Sequence, residues 1–78
     1  MIYDFDEKAE TKLFGQRLKN LRKKRGITQE ELAHTTGLAV STISRLERGA
    51  FTIGVNKLPL LARGLDIPVA DFYRELGY

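Results

Sequence analysis

Four side chains in this sequence have the chemistry and spacing of a recognition surface: Ser41, Ser44, Arg45 and Arg48. At 3.6 residues per turn they fall on one side of a helix. The serine hydroxyls donate and accept hydrogen bonds, and each guanidinium presents a planar fork of donors. Such a set matches the edges of base pairs, where an arginine fork pairs with guanine and a hydroxyl serves several bases. Ile43, Leu46, Glu47 and Ala50 share the opposite side. The aliphatic residues among them must pack inward, which turns the serines and arginines outward. Val40 and Thr42 lie on the flanks near the first turn. A convex helix face of this kind suits the major groove of DNA better than a protein core.

The residues before that helix supply the elements that must position it. Thr28 and Glu31 have the three-residue spacing of a capping box, in which each side chain satisfies the other's backbone N–H. Ile27 and Leu32 flank the box as a hydrophobic staple that fixes the direction of the incoming chain. The spacing predicts a helix from this cap to about Thr36. Gly37 then offers the positive φ that a helix end often requires, and Leu38 plugs the turn. The recognition helix is expected from about Val40 to Gly49.

The run TQEELA, a glycine turn and then VSTISRLERG resemble the helix-turn-helix of lambdoid phage repressors, Cro proteins and the wider Xre-type bacterial regulators. The resemblance spans Phe14 to Tyr73. It implies an all-α fold: a compact five-helix bundle, the lambda repressor-like DNA-binding domain, with the motif as helices two and three. It also implies roles. Val40, Ser41 and Arg45 match positions that touch base edges, with Ser44 a lesser candidate; Val40 either meets a thymine methyl or folds into the flank of the core. Gln29 matches a position that contacts a phosphate and braces side chains at the start of helix three. Thr42 and Arg48 match further phosphate contacts, and Thr52 is a weaker one. Glu47 points to the core side of helix three, where a lone carboxylate is costly. The resemblance supplies Arg22 on helix one as its partner, so Arg22 belongs to structure. Three departures stand out, one of them Gly64, which weakens the end of helix four by about 0.5–1 kcal/mol. Ala39 occupies the N-cap of helix three, where alanine costs about 1 kcal/mol against serine or threonine, and Pro59 falls near the start of helix four.

Composition agrees. Seventy-eight residues make one small domain with a modest core. There is no cysteine, hence no disulfide, thiolate nucleophile or zinc–thiolate site. No metal, cofactor or small-molecule ligand is expected. No unbroken apolar run exceeds three residues, far short of a membrane span. The acidic N-terminus does not resemble a secretory signal, so a cytoplasmic protein is expected. The net charge of +3 conceals a segregation. Asp4, Asp6, Glu7 and Glu10 face Lys8 alone, whereas Lys12, Arg17, Lys19, Arg22, Lys23, Lys24 and Arg25 follow with no acid among them. Such a run is either a solvated helix face or a patch that attracts phosphates.

The chain divides into an arm, residues 1–9, and a helix-turn-helix DNA-binding domain, residues 10–78. Helix one is expected over Ala9–Arg25 with Phe14, Leu18 and Leu21 inward and Gly26 as its stop. After a loop from Ala50 to Gly54, helix four is expected to start near Asn56 or Lys57, which puts Pro59 in its first turn. Leu58, Leu61, Ala62 and Leu65 face inward, and helix five runs from Val69 to Leu76.

Enzyme readings find no support. His34 is the single histidine and reads as an exposed residue of helix two. No serine sits in a strand-turn-helix elbow, and no glycine-rich phosphate loop exists. The expected function is sequence-specific binding of double-stranded DNA by a transcriptional regulator, a small repressor of the Cro-like or restriction–modification controller kind. It acts as a homodimer on a palindromic operator, because two reading helices about 34 Å apart match one turn of DNA. Phe51, Ile53, Tyr73 and Tyr78 are the candidates for the dimer contact. Two other readings stay open: an antitoxin that binds a toxin protein and regulates its own operon, and a protein-interaction module that reuses the fold.

Overall fold

A single carboxylate starts the first helix. Asp6 accepts hydrogen bonds from the backbone N–H groups of Lys8 at 3.0 Å and Ala9 at 3.2 Å. Helix α1 therefore spans Glu7–Lys24, with Glu7 and Glu10 against the positive end of its dipole. It begins two residues before the expected start and inside the segment assigned to an arm, because the Asp6 cap was not read from the sequence. The computed structural model describes residues 5–77. The first part of the arm, Asp4 and the candidate dimer residue Tyr78 lie outside that range.

The remaining helices are α2 (Gln29–Thr36), α3 (Val40–Glu47), α4 (Leu58–Gly64) and α5 (Val69–Glu75). A single 3-10 turn, Val55–Lys57, leads into α4. No strand occurs among the described residues, and the expected all-α five-helix arrangement is the one observed. Pro59 sits in the first turn of α4, where its missing N–H costs nothing. The capping box is complete: Thr28 Oγ1 accepts from Glu31 N at 3.0 Å, and Glu31 Oε1 accepts from Thr28 N at 2.9 Å. Asp66, in the left-handed region at φ 57°, ends α4. The N–H of Ile67 returns to the carbonyl of Ala62 at 3.1 Å, completing that helix end.

One core serves all five helices. Leu18 and Leu21 of α1, Leu32 and Ala33 of α2, Ile43 and Leu46 of α3, Leu61 and Ala62 of α4, and Phe72 of α5 are all buried. Helix α2 packs against α3 and α4, α1 against α3, and α4 against α5. Phe14, Ile27, Leu38 and Leu58 close the margins of this core.

The crossing of α1 and α3 is unusually close. Gly15 is buried there, and a Cβ at that position would collide with the carbonyl oxygen of Leu46 and lie 2.8 Å from that of Glu47. Contacts that short do not occur between ordinary carbon and oxygen atoms. The absence of a side chain at Gly15 therefore sets how deeply α3 seats on the bundle.

Candidate nucleic-acid interface

The turn between α2 and α3 is held by three devices. Gly37 takes φ 76°, a conformation that a side chain resists, and its N–H bonds the carbonyl of Ala33 at 2.8 Å. Leu38 packs against the core. The buried Thr36 hydroxyl donates to the carbonyl of Leu32 at 2.7 Å and accepts from the N–H of Leu38 at 3.2 Å. Sequence reasoning found the glycine and the leucine. It missed Thr36, although a hydroxyl two residues before a turn N–H is a known local pattern.

Helix α3 is one-sided, as its sequence demands. Ile43 and Leu46 are fully buried. Ser41, Arg45 and Arg48 are exposed, and Ser44 and Thr42 are half-buried. Val40 is 41% exposed, so it is not part of the core. Ala39 makes no side-chain cap bond, as expected for alanine. Thr52 is exposed in the loop after α3. Lys12 packs directly against Gly49 at the start of that loop and lines a shallow groove with Phe51 and Thr52.

The base of α3 is fixed by an ion pair. Arg22 Nε donates to Glu47 Oε2 at 2.6 Å and Arg22 Nη2 donates to Glu47 Oε1 at 2.9 Å. Both residues are buried, at 7% and 6% exposure. A third donor is used too: Arg22 Nη1 reaches the carbonyl of Ile27 at 2.8 Å. The hydrogen bond to Glu47 raises the pKa of Arg22 above its already high ordinary value, against the desolvation that lowers it. Gln29 Nε2 donates to Glu47 Oε1 at 3.1 Å. The expected brace between Gln29 and α3 thus exists at the C-terminal end of the helix, not at its start. The reason is geometric: Glu47 points back at the cap of α2.

The basic run of α1 is thinner than its sequence suggests. Arg22 is consumed by Glu47. Arg17 Nη1 donates to the carbonyl of Leu76 at 2.6 Å and so closes the end of α5. Lys24 lies 3.8 Å from Glu75 across an exposed pair. Lys12, Lys19, Lys23 and Arg25 remain for longer-range attraction.

Phe51 is a further feature. Its ring is half-buried against the core, and the guanidinium carbon of Arg45 lies 4.7 Å from the ring centroid. Ile53 and Tyr73, also half-buried, line an apolar groove of about 450 Å³ with Phe14, Leu58 and Val55. Among the described residues there is no cluster of side chains that could hold a metal, and no helix is long and apolar enough to cross a membrane.

Comparison with known proteins places this geometry. Residues 18–72 match the model of the helix-turn-helix family. The HTH-type transcriptional regulator YazB of Bacillus subtilis is 38% identical over 53 residues, which cover 68% of each chain. Two rhizobial HTH-type transcriptional regulators, from Sinorhizobium medicae and Rhizobium meliloti, are 28% identical over 61 residues, and the chain spans about 44% of their length. Among solved structures, the restriction–modification controller protein C.AhdI of Aeromonas hydrophila is 40% identical with a TM-score of 0.75, covering 87% of this chain and 97% of that one. The controller protein C.Esp1396I, solved as a tetramer with its natural 35 base-pair operator, is 28% identical with a TM-score of 0.79, covering 86% and 88%.

Proposed function

The chain belongs to the helix-turn-helix family of DNA-binding transcriptional regulators, and on that premise we propose that it binds a palindromic DNA operator as a homodimer with α3 in the major groove. The observation that carries this is the division of α3 into a fully buried aliphatic side and an outer side of hydroxyls and guanidiniums. Val40, Ser41, Ser44 and Arg45 face base edges in this reading. Gln29, Thr42, Arg48 and Thr52 face phosphates on either side, with Lys12 as an added cation. Gln29 keeps one amide N–H beyond the bond it gives to Glu47, so bracing and phosphate contact are compatible.

A single module of this size reads few base pairs, so a second copy supplies affinity and register. Ile53 and Tyr73 carry the dimer contact in this reading, since both line the same apolar groove. The C.Esp1396I tetramer on its operator supports assembly of more than one copy on DNA. A regulator of this kind works beside bacterial DNA, in the cytoplasm. The relatives and structural neighbours are regulators and controller proteins, which favours this reading over the antitoxin one.

The test is a titration of the purified protein with random and selected duplexes across a salt series. Specific binding should fall linearly on a log–log plot, with a slope that counts phosphate contacts. Sedimentation in parallel should show two copies per site. A protein indifferent to every duplex at low salt would end the reading.

A further inference from the structure

We propose that Phe51 is a specificity-determining residue of the DNA interface, acting by stacking on Arg45 and pre-setting its guanidinium for a guanine. The proposal rests on the reading of α3 as the base-contacting helix.

The geometry is particular. Arg45 leaves the last turn of α3, and Phe51 stands in the loop just beyond that helix. The guanidinium carbon lies 4.7 Å from the ring centroid, within the range of a cation–π contact. Phe51 is not a loose surface ring, because it is half-buried and packs against the core. It is a fixed platform for a side chain that is itself exposed.

A guanidinium stacked through its flat face loses none of its hydrogen-bonding capacity. Its five donors lie in the plane of the group and point outward from the edge. A guanine presents O6 and N7 to such an edge, and both bonds form in one plane. The ring therefore holds the group, and a cation–π contact takes up none of its donors. An unsupported arginine would have to give up the freedom of a long side chain when it docked. Here part of that ordering precedes binding, which is how preorganisation improves recognition.

Backbone-phosphate contacts do not pass through Arg45. Loss of the ring should then alter the choice of base and leave the salt dependence as it was. This separates a positioning role for Phe51 from the role at a dimer contact expected for it from sequence.

The experiment measures the affinity ratio between a selected operator and the same operator with its guanine contacts replaced. Phe51→Leu keeps an apolar filler against the core and removes the platform. It should lower that ratio about two- to fivefold, the size of an exposed cation–π contact, with the salt slope unchanged. Phe51→Tyr should restore the ratio. In an Arg45→Ala background, Phe51→Leu should have no further effect on the ratio. NMR of the wild-type protein without DNA gives a second reading that needs no variant: the Arg45 Cδ protons should be shifted upfield by the ring. Arg45 protons at random-coil positions would overturn the proposal, as would a ratio unmoved by Phe51→Leu. It is likewise overturned if Phe51→Leu weakens all duplexes alike while sedimentation shows a lost dimer. A wild-type protein that binds no duplex selectively would instead remove the reading beneath it.

Discussion

Arg22 and Glu47 join the first and third helices through two parallel hydrogen bonds, of 2.6 and 2.9 Å, with both side chains largely buried. The pair also gathers the carbonyl of Ile27 and the amide of Gln29, so α1, the cap of α2 and the end of α3 meet at one carboxylate. Glu47→Ala would leave the guanidinium buried without its counter-charge. Breaking such a pair costs about 3–5 kcal/mol, against a total stability of about 4–12 kcal/mol for a domain of this length. The variant should melt far below wild type and lose DNA affinity in the same proportion. Thermal denaturation alongside a DNA titration checks this, and a wild-type melting temperature would show that the pair does not hold α3.

Gly15→Ala should behave against ordinary helix propensity. In an open helix the change gains about 0.5–1 kcal/mol. Here the new methyl meets the Leu46 and Glu47 carbonyls of α3, which are backbone and can yield only if the helix moves. Overpacking of this kind costs about 1–3 kcal/mol. The melting temperature should fall, by about 4–8 °C for each kcal/mol in a domain this small. A variant that melts higher than wild type would mean that α1 and α3 separate easily.

Ala39→Ser should stabilise. Ala39 already has the extended backbone of an N-cap, at φ −69° and ψ 148°, but has no side-chain acceptor to offer the first turn. A serine hydroxyl there should gain about 1 kcal/mol. Chemical denaturation should show a higher midpoint with the slope unchanged.

The architecture was legible from the sequence where a feature is local. The Thr28–Glu31 box, the Gly37 turn and the two sides of α3 depend on residues a few positions apart, and each stands as read. The Arg22–Glu47 pair came through family resemblance, because 25 positions separate the partners and no spacing rule links them. What escaped was long-range or conformational. Gly15 looks like a flaw in a helix until α3 is laid across it. Arg17 reads as surface charge until its guanidinium is found on the carbonyl of Leu76, 59 positions away. Asp6 was hidden for a different reason: the acidic start of the chain was read as an arm, although its carboxylate is what begins the helix.

The capping box should also leave a signature in acid. The Glu31 carboxylate accepts from the Thr28 backbone N–H, and that bond, with the Thr28 side chain, lowers its pKa below the ordinary value of 4.5. A carboxyl with a lower pKa in the folded state binds protons less readily there than in the unfolded chain. Its contribution is complete above the unfolded value and disappears as pH falls through the folded one. Stability should therefore decline on the acid side of pH 4.5, and Glu31→Gln should flatten that part of the curve. Melting temperatures of both proteins between neutral and strongly acid pH provide the comparison. Parallel curves would assign the acid loss to other carboxylates.

Arg45 and Arg48 both stand exposed near the end of α3, yet they should fail differently when removed. Arg45, on the reading side, is expected to pair with guanine, where a bidentate contact contributes about 1–3 kcal/mol of discrimination. Arg45→Ala should therefore bring specific and mismatched operators closer together in affinity. Arg48 leaves the C-cap of α3, with only a long 3.4 Å bond from its Nε to the Ser44 carbonyl, and is expected to meet a phosphate. Arg48→Ala should weaken every duplex by a similar factor and reduce the log–log salt slope by about one contact. Competition titrations at several salt concentrations separate the two. If Arg48→Ala changed base preference while Arg45→Ala changed only the slope, α3 would have to lie in the groove rotated from the orientation proposed here.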